Sequence, residues 1–368
     1  MGERERSEIE IIKKLSHRHI VRLMGTYTHG PFLGLLLWPV ATCDLASLLE
    51  DVDWLQKQVL IKDGVELELP ENWMEHKVDR EARLQALGIP TRSLVASIHD
   101  SAEAFLKQTI GCIASAVAYL HASNIKHKDL KPSNILYSKD GLWLTDFGTA
   151  TDFSVLTTSV TDDGERGTPK YFAPEVANFA PNGRSADIFS MGCVFFEIMT
   201  VCVGHTLELS QGLRKWNDRS FQSNLGKIIA WFDGNARFLY GSSTITNEYF
   251  LGLVRWMMEE EAAKRPTANM IEKEITMITG LGFAYHAKYG VPQEPGFYQV
   301  CCHRGILYGE ITAPRSVPGA GLTINVMIGQ TYYATLDCVD YDFYMRFVDQ
   351  TFIEKVHVFI VSAFRSVS

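Results

Sequence analysis

Apolar and polar positions along this chain follow two periods, one helical and one of strands. Between Ser7 and Leu15, Ile9, Ile11, Ile12 and Leu15 fall near one face of a short helix, which His17-Arg18-His19 breaks. Residues 20–27 and 32–38 predict two strands around a His29-Gly30-Pro31 turn. Residues 44–49 predict a short helix. From Ala102 to Ala122, Phe105, Leu106, Ile110, Ile113, Val117 and Leu120 recur at helical spacing. Residues 135–137 and 142–145 predict a hairpin through Lys139-Asp140-Gly141, because Asp-Gly between apolar runs favours a tight turn. Residues 149–170 are rich in Thr, Ser, Asp and Gly, the composition of a surface loop. Ala186 to Val201 is apolar nearly all round and predicts a buried helix, and helical patterns continue to about Met277.

Two stretches lack such a pattern. Residues 51–100 hold ten acids and six Lys or Arg, with Pro70 and Pro90, and predict an irregular insertion with at most local helix. Beyond Gly280 the character changes: twelve Gly or Pro fall between 280 and 321, and none from 331 onward. Residues 281–368 are aromatic and β-branched towards their end and predict a strand-rich tail. A partner-binding appendage and a non-native stretch both remain open for it.

Composition narrows the classes. Hydrophobic residues make up 46% and charged residues 21%, enough to fill a sizeable core. The net charge is −8 and no long basic run occurs, so nucleic acid is not an expected partner. The start, Met1-Gly2-Glu3-Arg4-Glu5-Arg6, is charged and does not read as a signal peptide. Pro31 to Cys43 is too short for a bilayer span, and no membrane partner is expected. Seven cysteines without a C-x-x-C pair argue against a zinc site or a disulfide framework, and lead to the expectation of an intracellular protein, cytoplasmic or nuclear.

The chemistry concentrates in Ile125-Lys126-His127-Lys128-Asp129-Leu130-Lys131-Pro132-Ser133-Asn134-Ile135-Leu136, between the long helix and the first hairpin strand. Asp146-Phe147-Gly148 begins twelve residues after Asn134, at the end of the second strand. Phosphoryl transfer needs a group that orients a hydroxyl, a cation near the moving phosphate and ligands for a metal. Asp129 can accept the hydroxyl proton, and Lys131 can neutralise phosphate charge. Asn134 and Asp146 offer hard oxygens that suit Mg²⁺.

These residues resemble the catalytic loop and the magnesium-binding D-F-G of protein kinases. The family usually has Arg where Lys128 stands. Further marks fall in order: Gly167-Thr168-Pro169-Lys170-Tyr171-Phe172-Ala173-Pro174-Glu175 resembles the end of a Ser/Thr-kinase activation segment. The resemblance implies that Thr168 contacts Asp129 and Lys131, that Asp187 braces the catalytic loop from inside, and that Arg265 pairs with Glu175. It also implies that His127 packs behind Phe147 as a structural residue. Glu8 stands nine residues before His17, as does the helix Glu that pairs with the ATP-holding Lys. Residues 38–41 fall at the link between lobes, so Val40 and Ala41, with Leu136, are expected at the adenine, and Leu37 or Trp38 at the back of the pocket. Thr157 and Thr158, with Ser159 and Thr161, are candidate phosphorylation sites near Lys128.

The resemblance covers roughly residues 7–280. It implies an α+β, kinase-like bilobal fold with a mostly helical larger lobe and an incomplete smaller one. It also implies ATP and Mg²⁺ as cofactors, a protein Ser or Thr as acceptor, and a regulatory protein partner. Neither G-x-G-x-x-G nor V-A-I-K precedes Glu8 in this sequence. Two readings therefore stand open: an active Ser/Thr kinase represented by part of its length, and a non-catalytic kinase-like scaffold. In either, the missing strands are expected to leave sheet edge and apolar surface exposed.

Overall fold

A computed structural model describes residues 3–29, 32–62, 64, 73–89, 95–153, 167–215, 217–235, 245–289, 297, 322–328, 331–339 and 342–347. The chain forms two compact units, Met1–Thr279 with Pro295–Gln299, and Gly280–Glu294 with Val300–Ser368.

The first unit opens with helix α1, Glu3–Lys14, then the antiparallel strands β1, Arg22–His29, and β2, Phe32–Trp38. Their register runs from Arg22 opposite Trp38 to His29 opposite Phe32, with an irregularity between Leu23 and Gly25. The Gly30-Pro31 turn expected between them lies outside the described residues. As expected of a sheet with few strands, Met24, Tyr27 and Leu36 are exposed.

After β2 come the short strand β3, Cys43–Asp44, and three helices: α2, Leu45–Lys62; α3, Lys77–Ala86; and α4, Val95–Ala122. This corrects the reading of residues 51–100 as irregular, since the described parts of that stretch are largely helical. Their acids are partly buried and paired, which a charge count does not show. Asp51 is buried and takes a two-point bond from Arg83, 2.8 Å to each oxygen, with Arg80 at 3.5 Å. Asp53 pairs with Lys57 at 2.7 Å and accepts from the Leu207 N–H at 2.8 Å. The acids thus join α2 to α3 and to the start of a later helix, at Leu207.

The strands β4, Ile125–Lys126; β5, Ile135–Ser138; β6, Gly141–Leu144; and β7, Thr151–Asp152, frame the next stretch. The expected hairpin of β5 and β6 is present, with Leu136 opposite Trp143 and Ile135 opposite Leu144. Helices α5, Pro174–Ala177; α6, Arg184–Cys202; α7, Leu207–Gly212; α8, Leu225–Asn235; α9, Ile245–Met257; and α10, Ala268–Tyr289, follow. Helix α6 is buried from Ala186 to Cys202 and packs on α2, α4 and α9. By length and composition α6 is apolar enough to cross a membrane, but its apolar window is 94% buried, the condition of a core helix. Phe297, beyond the boundary expected at 280, belongs to this core: it is buried, stacks on Phe250 and accepts from the Gly111 N–H at 2.7 Å.

In the second unit, β8, Leu322–Ile328; β9, Thr331–Val339; and β10, Asp342–Phe347, form an antiparallel sheet in the order β10-β9-β8.

Candidate active site

The site is built where α4 ends and β4 leads into a loop. His127 and Lys128 present successive N–H groups to one carboxylate. His127 donates to Asp187 Oδ2 at 2.9 Å, and Lys128 to Asp187 Oδ1 at 2.9 Å. Lys128 has φ of 69°, a left-handed conformation that costs a non-glycine residue roughly 1–3 kcal/mol. The clamp on both N–H groups holds that turn. His121, on the last turn of α4, donates from Nε2 to Asp187 Oδ2 at 3.0 Å. Burial alone would raise the Asp187 pKa, but the His121 hydrogen bond and nearby positive charge outweigh it, and the pKa is lowered.

The clamp sets Asp129 in place. Its Oδ2 accepts from Lys131 Nζ at 2.7 Å and from Asn134 Nδ2 at 3.2 Å, and its Oδ1 accepts from the Thr168 N–H at 2.7 Å. Lys131 Nζ also reaches Thr168 Oγ1 at 2.9 Å. Burial works against the charged form of Asp129. The bonds from Lys131 and Thr168 more than offset it, so the carboxyl titrates below its ordinary value of 3.8 and is ionised at neutral pH. Gly167 permits this approach: a Cβ there would lie 2.5 Å from both Asp129 Oδ1 and the Lys128 carbonyl.

The hairpin brings the second oxygen pair alongside. Asn134 Nδ2 donates to the Asp129 carbonyl at 2.9 Å and lies 3.3 Å from Asp146 Oδ2. With its NH₂ group committed there, Asn134 has Oδ1 left as an oxygen ligand. Asp146, at φ of 63°, follows β6 in a left-handed conformation. No cluster of three or more His, Cys, Asp or Glu able to hold a metal occurs among the described residues. Two hard oxygens are a sufficient protein share for Mg²⁺, which keeps waters and takes substrate phosphates. The donor set of Asn134 and Asp146 fits that ion.

Behind the site, His127 packs on the buried ring of Phe147 with centroids 5.0 Å apart, and its Nε2 donates to the Thr145 carbonyl at 3.0 Å. Arg265 is fully buried and forks onto Glu175 at 2.7 and 2.9 Å. It also donates to the carbonyls of Ser185, Glu259 and Glu260.

The structure thus brings Asp129, Lys131, Asn134, Asp146 and Thr168 into one hydrogen-bonded group. Glu8 is half-buried on α1, and Leu136 is half-buried on β5. Val40 is 78% exposed, and Ala41 is half-buried beside Thr42, whose N–H bonds the Tyr137 carbonyl at 2.6 Å. Thr157 and Thr158, with Ser159 and Thr161, lie outside the described residues. Sequence reasoning missed His121 and the spatial role of Gly167. A His on the last helical turn before a catalytic loop was the available signal for the first. The second needed coordinates.

This architecture and loop are those of the protein kinase fold. The protein kinase domain model matches residues 90–275, and the chain belongs to that family. It is 28% identical over 194 residues to mitogen-activated protein kinase kinase kinase A of Dictyostelium discoideum, covering 52% of this chain and 16% of that protein. It is 43% identical over 89 residues to serine/threonine-protein kinase AtPK1/AtPK6 of Arabidopsis thaliana, covering 24% of this chain and 18% of that one. With cysteine-rich receptor-like protein kinase 8 of Arabidopsis thaliana it shares 25% identity over 316 residues, 81% of this chain and 37% of that protein. The matches thus cover well under half the length of each of these relatives. Protein kinases in general use ATP and a divalent metal to phosphorylate protein substrates.

Proposed function

We propose that this chain transfers the γ-phosphoryl group of ATP, with Mg²⁺, to Ser or Thr hydroxyls of a protein substrate. The observation that carries the reading is the triangle of Asp129, Lys131 and Thr168, closed by bonds of 2.7, 2.7 and 2.9 Å. An ionised Asp129 can accept the hydrogen bond of an incoming hydroxyl and take its proton as the oxygen attacks phosphorus. Lys131 places its charge beside that point, where it stabilises the phosphoryl group in transit. Asn134 and Asp146 would hold Mg²⁺, which when bound shields the phosphate charges. Val40, Ala41 and Leu136 are assigned to the adenine and Glu8 to the nucleotide side. Thr168 is assigned to the acceptor side, and Thr157 and Thr158 to control by phosphorylation. Lys131 beside Asp129 and the similarity to serine/threonine-protein kinases support Ser/Thr specificity. Four described cysteines are free thiols, in keeping with an intracellular, cytoplasmic or nuclear enzyme.

The test is phosphate incorporation into a Ser/Thr protein substrate, paired with a thermal shift in Mg·ATP. Asp129→Asn is expected to lower transfer by about a hundredfold or more while leaving the fold intact. Asp146→Ala is expected to abolish the Mg-dependent rise in melting temperature. A folded chain that neither binds Mg·ATP nor transfers phosphate overturns the reading in favour of a non-catalytic scaffold.

A further inference from the structure

A cavity of about 600 Å³ opens beside the strand pair and the β5–β6 turn. Its lining contains none of Asp129, Lys131, Asn134, Leu136 or Asp146, and of the residues assigned to the adenine it holds Val40 alone. Arg18, Arg22 and Lys139 line it, against Asp140 as the one acid. The backbone explains why they meet. Arg22 is the register partner of Trp38. Ile20 bridges Leu144 in parallel, and Leu144 exchanges bonds with the backbone of His19 and Val21 at 2.8 and 3.1 Å. This lays residues 18–22 along the end of β6, next to Trp143 and the Lys139-Asp140 turn.

The chemistry of the lining is unlike that of the catalytic loop. Arg18, Arg22 and Lys139 are exposed, and none forms an ion pair among the described residues. Three like charges around one cavity repel one another, and they do so in a chain whose net charge is −8. Trp38 is 55% exposed and Val40 78% exposed, and both border the same cavity. Concentrated positive charge around an open apolar strip is complementary to a partner with carboxylates flanking an apolar side chain. The three cations come from two segments, residues 18–22 and the β5–β6 turn, which suits several anionic groups spaced along a segment better than one compact anion.

We infer that this cavity is a docking site for an acidic peptide segment, with an apolar side chain of the segment seated against Trp38 and Val40 and its carboxylates facing Arg18, Arg22 and Lys139. The site serves recruitment of a partner protein and lies apart from the Asp129, Lys131, Asn134 and Asp146 group, sharing Val40 with the residues assigned to the adenine. A fluorescein-labelled peptide of alternating Glu and Leu, read by anisotropy on the full chain, tests it, with Gln/Leu and Lys/Leu peptides as comparisons. The Glu/Leu peptide is expected to bind, to weaken as salt is raised, and to lose about tenfold or more in affinity in the combined variant Arg18→Gln, Arg22→Gln, Lys139→Gln. Trp38→Ala is expected to weaken it without altering the salt dependence. Asp129→Asn and Asp146→Ala are expected to bind it as the parent does, and reversal of the three charges to Glu is expected to shift preference to the Lys/Leu peptide. Circular dichroism on each variant confirms the fold. Absence of binding by the parent chain, equal binding of the Gln/Leu peptide, or undiminished binding by the folded triple variant would each overturn the inference.

Discussion

The catalytic loop and the strand pair with its adjoining cavity differ in how their polar groups are satisfied. At the loop, Asp187 takes bonds from two backbone N–H groups and an imidazole, and Asp129 from Lys131, Asn134 and Thr168. By the cavity, Arg18, Arg22 and Lys139 stand exposed and without ion pairs among the described residues, beside Trp38 and Val40. The first arrangement holds reacting groups in place before any substrate arrives, so little reorganisation is left for the reaction itself. The second leaves its charge uncompensated, and an incoming partner supplies the compensation. A kinase unit can thus carry a rigid chemical site and an open binding site on connected strands, because β6 contributes to both.

The comparison breaks most severely at Asp187. Replacing it with Ala leaves the His127 and Lys128 N–H groups and the His121 ring without their acceptor. Losing a buried paired charge of this kind costs about 3–5 kcal/mol, measurable by urea unfolding. Acid sharpens the same point. The Asp187 and Asp129 pKa values are lowered in the folded state, so the stability they contribute is present above the ordinary value of 3.8 and is lost as pH falls through their depressed values. Asp187→Asn is expected to flatten the pH dependence of stability in that acid range, as followed by tryptophan fluorescence.

A smaller break is Gly167→Ala. The added methyl meets Asp129 Oδ1 and the Lys128 carbonyl, neither of which is the loose end of a flexible chain. Overpacking of this kind costs about 1–3 kcal/mol. Phosphate transfer is expected to fall further than the melting temperature does, since the displaced atom belongs to Asp129. The smallest effect is expected on the strand pair. Met24→Thr and Leu36→Thr remove exposed apolar groups at 68% and 51% exposure and should change stability by no more than about 0.5 kcal/mol. They should also raise solubility, as read by static light scattering. A loss of several kcal/mol there would show that the sheet face is covered in solution.

Much of the site was legible without coordinates because its residues sit close together in sequence. Asp129, Lys131 and Asn134 fall within one loop, and Asp146 follows after a hairpin whose Asp-Gly turn announces itself. The long-range pairs Asp187 with the loop and Arg265 with Glu175 were reached through family resemblance, since a distance of 90 residues in sequence carries no local signal. Residues 51–100 misled because charge density reads as solvent exposure, whereas Asp51 and Asp53 are buried against Arg83 and Lys57.

The sequence by itself determined the helical and strand periods of the kinase unit, the order of its chemical groups and the oxygens offered to a metal, because these depend on neighbours a few residues apart. Tertiary structure alone decided which charges are satisfied. Whether an acid is a buried strut or a surface group, whether Gly167 can carry a side chain, and whether Arg18, Arg22 and Lys139 meet around one cavity all depend on which distant segment packs alongside. Residues far apart along the chain set the local dielectric, the available hydrogen-bond partners and the free volume, and these fix the role of each group.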